Sequence, residues 1–426
     1  MNTFSRLIIT LILVIFVVGL AALNSNILAL TIPLMVYLFA AIALRPEGVA
    51  VEVTRTFTPD RASQDTPVTV QVKLLNVGSA VSELTVQDIL PQGATVLDGE
   101  SSTVIFLAKN AALDLTYTIT APRGEYANYE TSMCAGDALG LFEQSFTHKS
   151  SRSLVIHPRY PKLDRIKIRP PQTRGFAGPI AARQGGSGIN FWSVREYQAN
   201  DPKRQINWRL SARAERELYT NVFEQERVAD VGLILDARVN ANVLTTSESL
   251  FEHSVRATAA LAENFLNDGN RVSLLVYGAG LARVFPGYGR IQHNRILREL
   301  SRAEPSINYA LESLNHLPTG QFPAKSQIVI ISPLLPEDIT MLRRMRAHGY
   351  AVIVVSPDPI SYEATRFGDT TSLAYRLASA ERRLMLRQMR QCGVQLVNWQ
   401  VHQPLEHTIR EMLAAQPLTM HYGLQS

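Results

Sequence analysis

Between Arg6 and Arg45 the chain carries no charged residue, and the run from Leu7 to Leu44 is broken only by the polar tripeptide Asn24-Ser25-Asn26. Inside a lipid core every backbone N–H and C=O must be bonded within its own segment, so an uncharged run of this length is constrained to be helical. The Asn-Ser-Asn break divides it into two candidate membrane helices, about residues 7–23 and 27–44, each near the lower end of the ~17–25 residues that span a bilayer. Residues 1–45 are therefore expected to form a transmembrane helical hairpin. A cleaved signal peptide is the alternative for the first segment, and a second apolar segment following at once weighs against it. Arg6 and Arg45 flank the hairpin on one side, and the positive-inside rule puts that side in the cytosol. The expectation is a multi-pass protein of the inner (plasma) membrane whose large remainder is cytoplasmic.

At 426 residues, with 46% apolar and 19% charged residues, the chain is long enough for two or three domains with real cores and is not a disordered polymer. Its two cysteines, Cys134 and Cys392, stand in no metal or redox spacing, which suits a reducing compartment. The net charge of +5 is uneven, because Arg152 to Arg213 holds thirteen Lys/Arg against three Asp/Glu, a local +10. Beside a bilayer such a segment would be drawn to anionic headgroups or to an acidic partner over about 10 Å. A solvated basic face with no ligand explains the same composition.

From residue 48 to 156 the chain alternates short Val/Thr/Ile-rich runs with turn residues: "VEVTRTF", "PVTVQVKLLNVG", "ELTVQDILPQGATVL", "STVIFL" and "LDLTYTITAP". Their period-2 character and spacing predict an all-β, Ig-like sandwich, with no catalytic constellation in it. Residues 157–227 form a basic stretch; Pro158 to Gly188 is rich in Pro, Gly and Arg and reads as an irregular connector, with "GGSGIN" (185–190) as a flexible turn. From 228 to 415 strand and helix patterns alternate. Strands are predicted at 228–237, 270–278, 326–333, 350–357 and 394–400; helices at 249–268, capped by Ser247 or Ser249 and ended by Gly269, and at 291–303, 337–348, 373–391 and 405–413. That alternation predicts an open, mostly parallel α/β sheet, in which ligands bind beyond the carboxyl ends of the strands.

The chain contains no phosphate-binding G-x-x-x-x-G-K-[ST], no H-E-x-x-H, no C-x-x-C and no G-x-S-x-G, and its nine histidines are scattered, so no catalytic residue is assigned. Asp236 ends the first predicted α/β strand. A carboxylate there with hydroxyl residues two and four positions on, D-x-S-x-S, would offer oxygen ligands to Mg²⁺. In this chain the positions hold Asp236, Arg238 and Asn240.

The stretch "REYQANDPKRQINWRLSAR" (195–213) matches a pattern close to R-E-Y-x-x-G-D-x-x-R-x-I-D-W-x-x-S-A-R at Arg195, Glu196, Tyr197, Asp201, Arg204, Ile206, Trp208, Ser211, Ala212 and Arg213, with Asn200 for the Gly and Asn207 for the Asp. In this it resembles the bacterial and archaeal domain-of-unknown-function 58 family, with weaker echoes at "PRGEY", "GDALGLF" and "LVIHPRYPKL". The resemblance implies a membrane hairpin, a β-rich segment and a von Willebrand factor A-like (Rossmann-type) domain, working as an adaptor or chaperone-like partner of MoxR-type AAA+ ATPases. It also implies an A-type metal site at Asp236 and Asn240. Here Arg238 stands at the second ligand position and Pro333 where a later-loop acid would be, with Asp338 five residues on. Lost or weak Mg²⁺ binding is therefore expected, with Asp236 pairing with Arg238 or another base, or capping a backbone donor.

Three roles fit the 195–213 motif. Nucleic-acid binding has only basic density and two aromatics in its favour. Catalysis by Glu196 or Asp201 with Arg204 lacks a nucleophile, metal or cofactor. A clamp is favoured: alternating charges for internal ion pairs, Tyr197, Ile206 and Trp208 for apolar anchorage, and Asp201-Pro202 as a turn, locking the connector and the sandwich onto the edge of the α/β sheet. On that reading Trp208→Ala lowers thermal stability. The expected function is a membrane-anchored cytoplasmic protein-interaction module. The alternatives are a metal-dependent enzyme or adhesion-type binder using the Asp236 loop, and a cell-envelope assembly factor.

Overall fold

The computed structural model describes residues 3–415 apart from 46–47, 128, 138, 150–151, 165, 167–179, 215–216, 244–248, 279, 309–310, 312, 319–321 and 369–371. The chain divides between His157 and Pro158 into two compact units.

The first unit begins with helices α1 (Thr3–Ala21), α2 (Ser25–Ala29) and α3 (Thr31–Ala43). The break before α2 is set by Asn24, whose side chain accepts a hydrogen bond from the Asn26 N–H at 2.9 Å. The segment Ser25–Ala43 is long and apolar enough to cross a membrane, whereas the apolar helix Ser5–Ala21 is shorter. Large apolar side chains such as Leu13, Phe16 and Phe39 point outward from these helices.

The β-rich region follows as β1 (Val51–Thr58), β2 (Arg61–Ser63), β3 (Val68–Asn76), β4 (Val81–Asp88), β5 (Thr95–Gly99), β6 (Ser102–Leu107), β7 (Ala112–Thr120), β8 (Gly124–Tyr126), β9 (Glu130–Gly136), β10 (Glu143–Lys149) and β11 (Leu154–His157). Two four-stranded sheets, β1-β3-β7-β5 and β10-β9-β4-β6, are accompanied by a small β2-β11-β8 sheet. Alternation decides which face is inward: on β3, Val68, Val70, Val72 and Leu74 are buried while Gln71 and Lys73 are exposed. These meet Leu84 and Val86 of β4, Tyr117 and Ile119 of β7 and Met133 of β9 in one core shared by both large sheets.

A buried ionic cluster crosses that core. Arg55 on β1 pairs with Asp88 at the end of β4, and both are 2% exposed. Asp88 also accepts from the Tyr117 hydroxyl and from Thr131 Oγ1. The Arg55 guanidinium lies 4.7 Å from the Tyr129 ring centroid. Burial, with the adjacent Asp88 charge, pushes the Tyr117 hydroxyl well above its ordinary pKa, so it remains a donor.

In the second unit, β12 (Ile180–Glu196) and β13 (Tyr219–Arg227) pair antiparallel as a separate two-stranded sheet. This corrects the expectation of an irregular connector over 158–188 where it overlaps β12; residues 167–179 lie outside the described residues. It also corrects the reading of "GGSGIN" as a simple turn. Gly186 and Phe191 both register against Phe223, so the residues between them bulge out within the strand.

The remainder is an α/β region with β14 (Asp230–Asp236), α5 (Leu250–Asn267), β15 (Arg271–Tyr277), β16 (Leu281–Gly287), α6 (Gly289–Arg302), β17 (Gln327–Ile331), α7 (Ile339–Ala347), β18 (Ala351–Pro357), α8 (Pro359–Phe367), α9 (Leu373–Arg390), β19 (Gln395–Trp399) and α10 (Leu405–Ala415), α4 being the short turn Trp208–Ser211. The sheet order is β16-β15-β14-β17-β18-β19, parallel throughout except for the antiparallel edge strand β16. Leu233, Leu235, Val329 and Ile331 pack into the core beneath α5, while Ile234, Ile328 and Ile330 pack into a second core beneath α7 and α9. Helices thus cover both faces, which is why the strands read as unbroken apolar runs. Ser249 caps α5 by position without a side-chain bond, and Ser247 lies outside the described residues. The strand order reverses between β14 and β17, so their carboxyl ends flank the crevice of the sheet.

Candidate functional site

Asp236, the last residue of β14, enters that crevice fully buried, as does Arg238 two residues on. The backbone turns at Asp236, whose Oδ1 accepts the Arg238 N–H at 3.0 Å, and this brings the arginine side chain back over the carboxylate. Arg238 Nε donates to Asp236 Oδ1 at 2.9 Å and Nη2 to Asp236 Oδ2 at 2.7 Å. The other edge of the guanidinium meets Asp338, with Nη1 at 3.1 Å from Oδ1 and Nη2 at 2.9 Å from Oδ2. All four carboxylate oxygens are therefore aimed at one resident cation.

The rest of the shell fixes that geometry. Ser332, just after β17, donates to Asp236 Oδ2 at 2.6 Å, and Asp338 Oδ2 accepts the Leu335 N–H at 2.8 Å. Asn242 Nδ2 ties down the turn through the carbonyls of Asp236 and Arg238 at 3.1 and 2.8 Å. Asp338 reaches the site because Pro336–Asp338 winds as a 3-10 turn into α7, a shorter path than an extended loop would give. Ser332 and Asn242 were not singled out in the sequence; the Ser-Pro ending an apolar strand was the available signal.

Burial works against the charge on Arg238, but its bonds to Asp236 and Asp338 outweigh that, so the guanidinium is held more firmly protonated than a free one. Burial pushes the Asp338 carboxyl above the usual carboxylate range, against the lowering by Arg238. One guanidinium thus serves two carboxyl groups.

Asn240, the other candidate metal ligand, lies elsewhere. It is exposed on the turn Val239–Ala241 and helps line a cavity of about 290 Å³ with Ser306, Ile307, Asn308 and Leu311. Among the described residues no group of three or more His, Cys, Asp or Glu side chains is placed to hold a metal ion.

The 195–213 motif forms the end of the β12–β13 hairpin and bonds largely to itself. Arg195 Nη2 donates to Asp201 Oδ1 at 2.6 Å, and Asp201 Oδ2 accepts the Gln198 N–H at 2.9 Å. The Arg195 hydrogen bond holds the Asp201 carboxyl below its ordinary value. Asn200 has φ +92°, the left-handed conformation that suits the Gly of the pattern. Tyr197, half-buried, donates from its hydroxyl to the Asp201 carbonyl at 3.3 Å. Asn207 caps α4 by accepting the Leu210 N–H at 3.0 Å, and Ser211 Oγ accepts the Tyr219 N–H at 2.8 Å.

One expectation needs correction. Ile206 is buried, but Trp208, the first residue of the single-turn α4, is 65% exposed and supplies no buried apolar anchor. The hairpin is hydrogen-bonded as its own two-stranded sheet. Glu196, Arg204 and Arg213 are exposed.

Residues 193–371 match the family described as "Protein of unknown function DUF58", a span holding both the motif and the Asp236 loop but less than half of the chain. No curated protein matches the chain. Similar solved structures include a FixG-related protein from Vibrio parahaemolyticus, at 14% identity over 25% of this chain and 98% of that one, with a TM-score of 0.17. Another is the cupredoxin domain of amoB from Nitrosocaldus yellowstonii, at 12% identity over 30% of this chain and 99% of that one, with a TM-score of 0.19. At these scores the likeness assigns no fold.

Proposed function

We propose that the chain is a membrane-anchored cytoplasmic protein-interaction module in which a von Willebrand factor A-like domain carries an arginine in place of its metal ion, and that it serves a MoxR-type AAA+ ATPase as an adaptor. The observation that carries this reading is the Arg238 guanidinium bonded to all four oxygens of Asp236 and Asp338. Those carboxylates, at the switch point of a sheet ordered β16-β15-β14-β17-β18-β19, are the oxygens that would ligate Mg²⁺. A guanidinium satisfies them with directional bonds and has no open coordination position to offer a partner's acidic group. The residues present do not fit a divalent cation, so neither metal-assisted chemistry nor metal-dependent adhesion follows from this site.

Docking then falls to other surfaces. The exposed Trp208, on a turn stiffened by the Arg195–Asp201 pair, offers the large amphipathic side chain that interface hot spots favour. In this reading the Ig-like β-region is a spacer, and residues 1–45 form a hairpin with Arg6 and Arg45 on the cytoplasmic side.

Calorimetric titration of the purified chain with Mg²⁺ and Mn²⁺ tests the site: no binding heat is expected, and stoichiometric binding would overturn the reading. Affinity capture of tagged wild type and Trp208→Ala from native membranes tests the adaptor role. Co-capture of an AAA+ ATPase by wild type alone is expected, and equal capture by both proteins would move the docking surface away from Trp208.

A further inference from the structure

Helix α9 is built with two apolar faces. Its inner face carries Leu386 and Met389 in the core and Arg382, buried, whose guanidinium donates to the Pro333 carbonyl at 2.9 Å and to Ser356 Oγ at 2.9 Å, and pairs with Asp358 at 3.2 Å. These bonds fix the rotation of the helix, so its outer face is presented rigidly. On that face Leu373, Leu377 and Leu384 are 78%, 59% and 61% exposed. At about 100° per residue their spacing of four and eleven places them in one stripe, opposite the buried face. Arg376, Arg383, Arg387 and Arg390 fall along one flank of it by the same geometry. Among the described residues Arg376, Arg383 and Arg387 enter no ion pair with an acidic side chain.

An outward leucine stripe beside a row of arginines is the pattern of a helix that lies in a membrane interface, leucines among the acyl chains and guanidinium groups at anionic headgroups. We infer that the outer face of α9 docks on the anionic surface of the membrane that holds the chain. This rests on the proposed membrane anchorage; the segment Ser25–Ala43 would keep the α/β unit at high effective concentration beside the bilayer. Charge complementarity selects the lipid, since the four arginines on one flank outnumber the single exposed acid on the other, Glu381, and the charge on anionic leaflets attracts them.

The test uses the full chain in lipid nanodiscs with Cys134→Ser and Cys392→Ser and an environment-sensitive fluorophore at either Leu384→Cys or, as an anchor control, Leu13→Cys. Discs contain either phosphatidylcholine alone or about 30% phosphatidylglycerol, each with a lipid-borne quencher. At Leu384→Cys, loss of about half the fluorescence is expected in anionic discs only, abolished by Arg376→Gln with Arg383→Gln and Arg387→Gln. Quenching at Leu13→Cys with none at Leu384→Cys overturns the inference and leaves the anchor standing. Quenching at neither overturns both. Equal quenching of Leu384→Cys in the two lipids removes the anionic assignment. A blue shift without quenching that reverses on dilution assigns the face to a second copy of the chain and also overturns it.

Discussion

The two units of the chain each bury an arginine at 2% exposure, and they treat it differently. In the β-rich region Arg55 has one carboxylate, Asp88, shared with Tyr117 and Thr131, and rests on the Tyr129 ring; among the described residues its Nε and Nη1 have no hydrogen-bond partner. The cluster is neutral as a pair and joins β1, β4, β7 and β9 across a closed core. In the α/β region Arg238 has two carboxylates, and it sits where strand ends diverge. A buried charge is tolerated when it is paired, and the number of partners sets how the pair responds to losing a member. One acid makes a fastener. Two acids, one ending β14 and one in the turn before α7, hold a single guanidinium between them.

The largest effect should separate these clusters. Arg238→Met leaves two buried carboxylates facing each other and should cost about 3–5 kcal/mol in chemical denaturation, the range for stranding a buried charge. Arg55→Met should cost less, since Asp88 keeps the donors Tyr117 and Thr131; equal losses would erase the distinction drawn above. Next, Arg238→Ser should create an oxygen-rich pocket and gain about 2–3 kcal/mol of stability from Mn²⁺ at a hundredfold excess over its Kd, while wild type gains none. A wild-type thermal shift with Mn²⁺ would break the comparison. Tyr117→Phe, which removes one donor from the β-region cluster, should cost about 1–2 kcal/mol.

The pH dependence should be smaller and of opposite sign at two paired aspartates. Asp338, raised by burial, contributes stability that is complete below its ordinary value of 3.8 and is lost as pH rises through the raised pKa. Asp201, lowered by the Arg195 bond, contributes stability that is present above 3.8 and lost as pH falls through the lowered pKa. Asp338→Asn and Asp201→Asn should therefore flatten opposite limbs of the denaturation midpoint plotted against pH; flattening of the same limb would refute the assignment. Trp208→Ala should change stability least, within about 0.5 kcal/mol, because an exposed side chain loses little on truncation. A large drop in melting temperature would restore its anchoring role.

Much of this was legible in residue order. Period-2 runs located β1, β3, β6 and β7, and unbroken apolar runs located all five parallel strands of the α/β sheet, because each pattern reports how many faces of the strand are covered. The antiparallel edge strand β16, with three of its seven residues exposed, and the mixed-polarity strands β9 and β10 carried weaker patterns and were not anticipated. The Gly-rich stretch of β12 was misread because local composition favours a turn, while pairing with the long β13 supplies bonds that composition cannot show. At the candidate site, Asp236, Arg238 and Asp338 were all visible as residues, but not that one guanidinium would meet both acids.

By itself the sequence determined the apolar N-terminal run, the order of β-rich and α/β regions and the unusual arginine two places after Asp236. These are properties of neighbours along the chain, where periodicity and charge act within a few residues. Only the tertiary structure decided that Trp208 faces water while Ile206 does not, that the 3-10 turn at Pro336–Asp338 swings its carboxylate back to β14, and that Arg238 closes the gap. Each of those depends on two segments brought together by core packing, Arg238 and Asp338 being 100 residues apart, and no local pattern encodes which arginine will stand between the two acids.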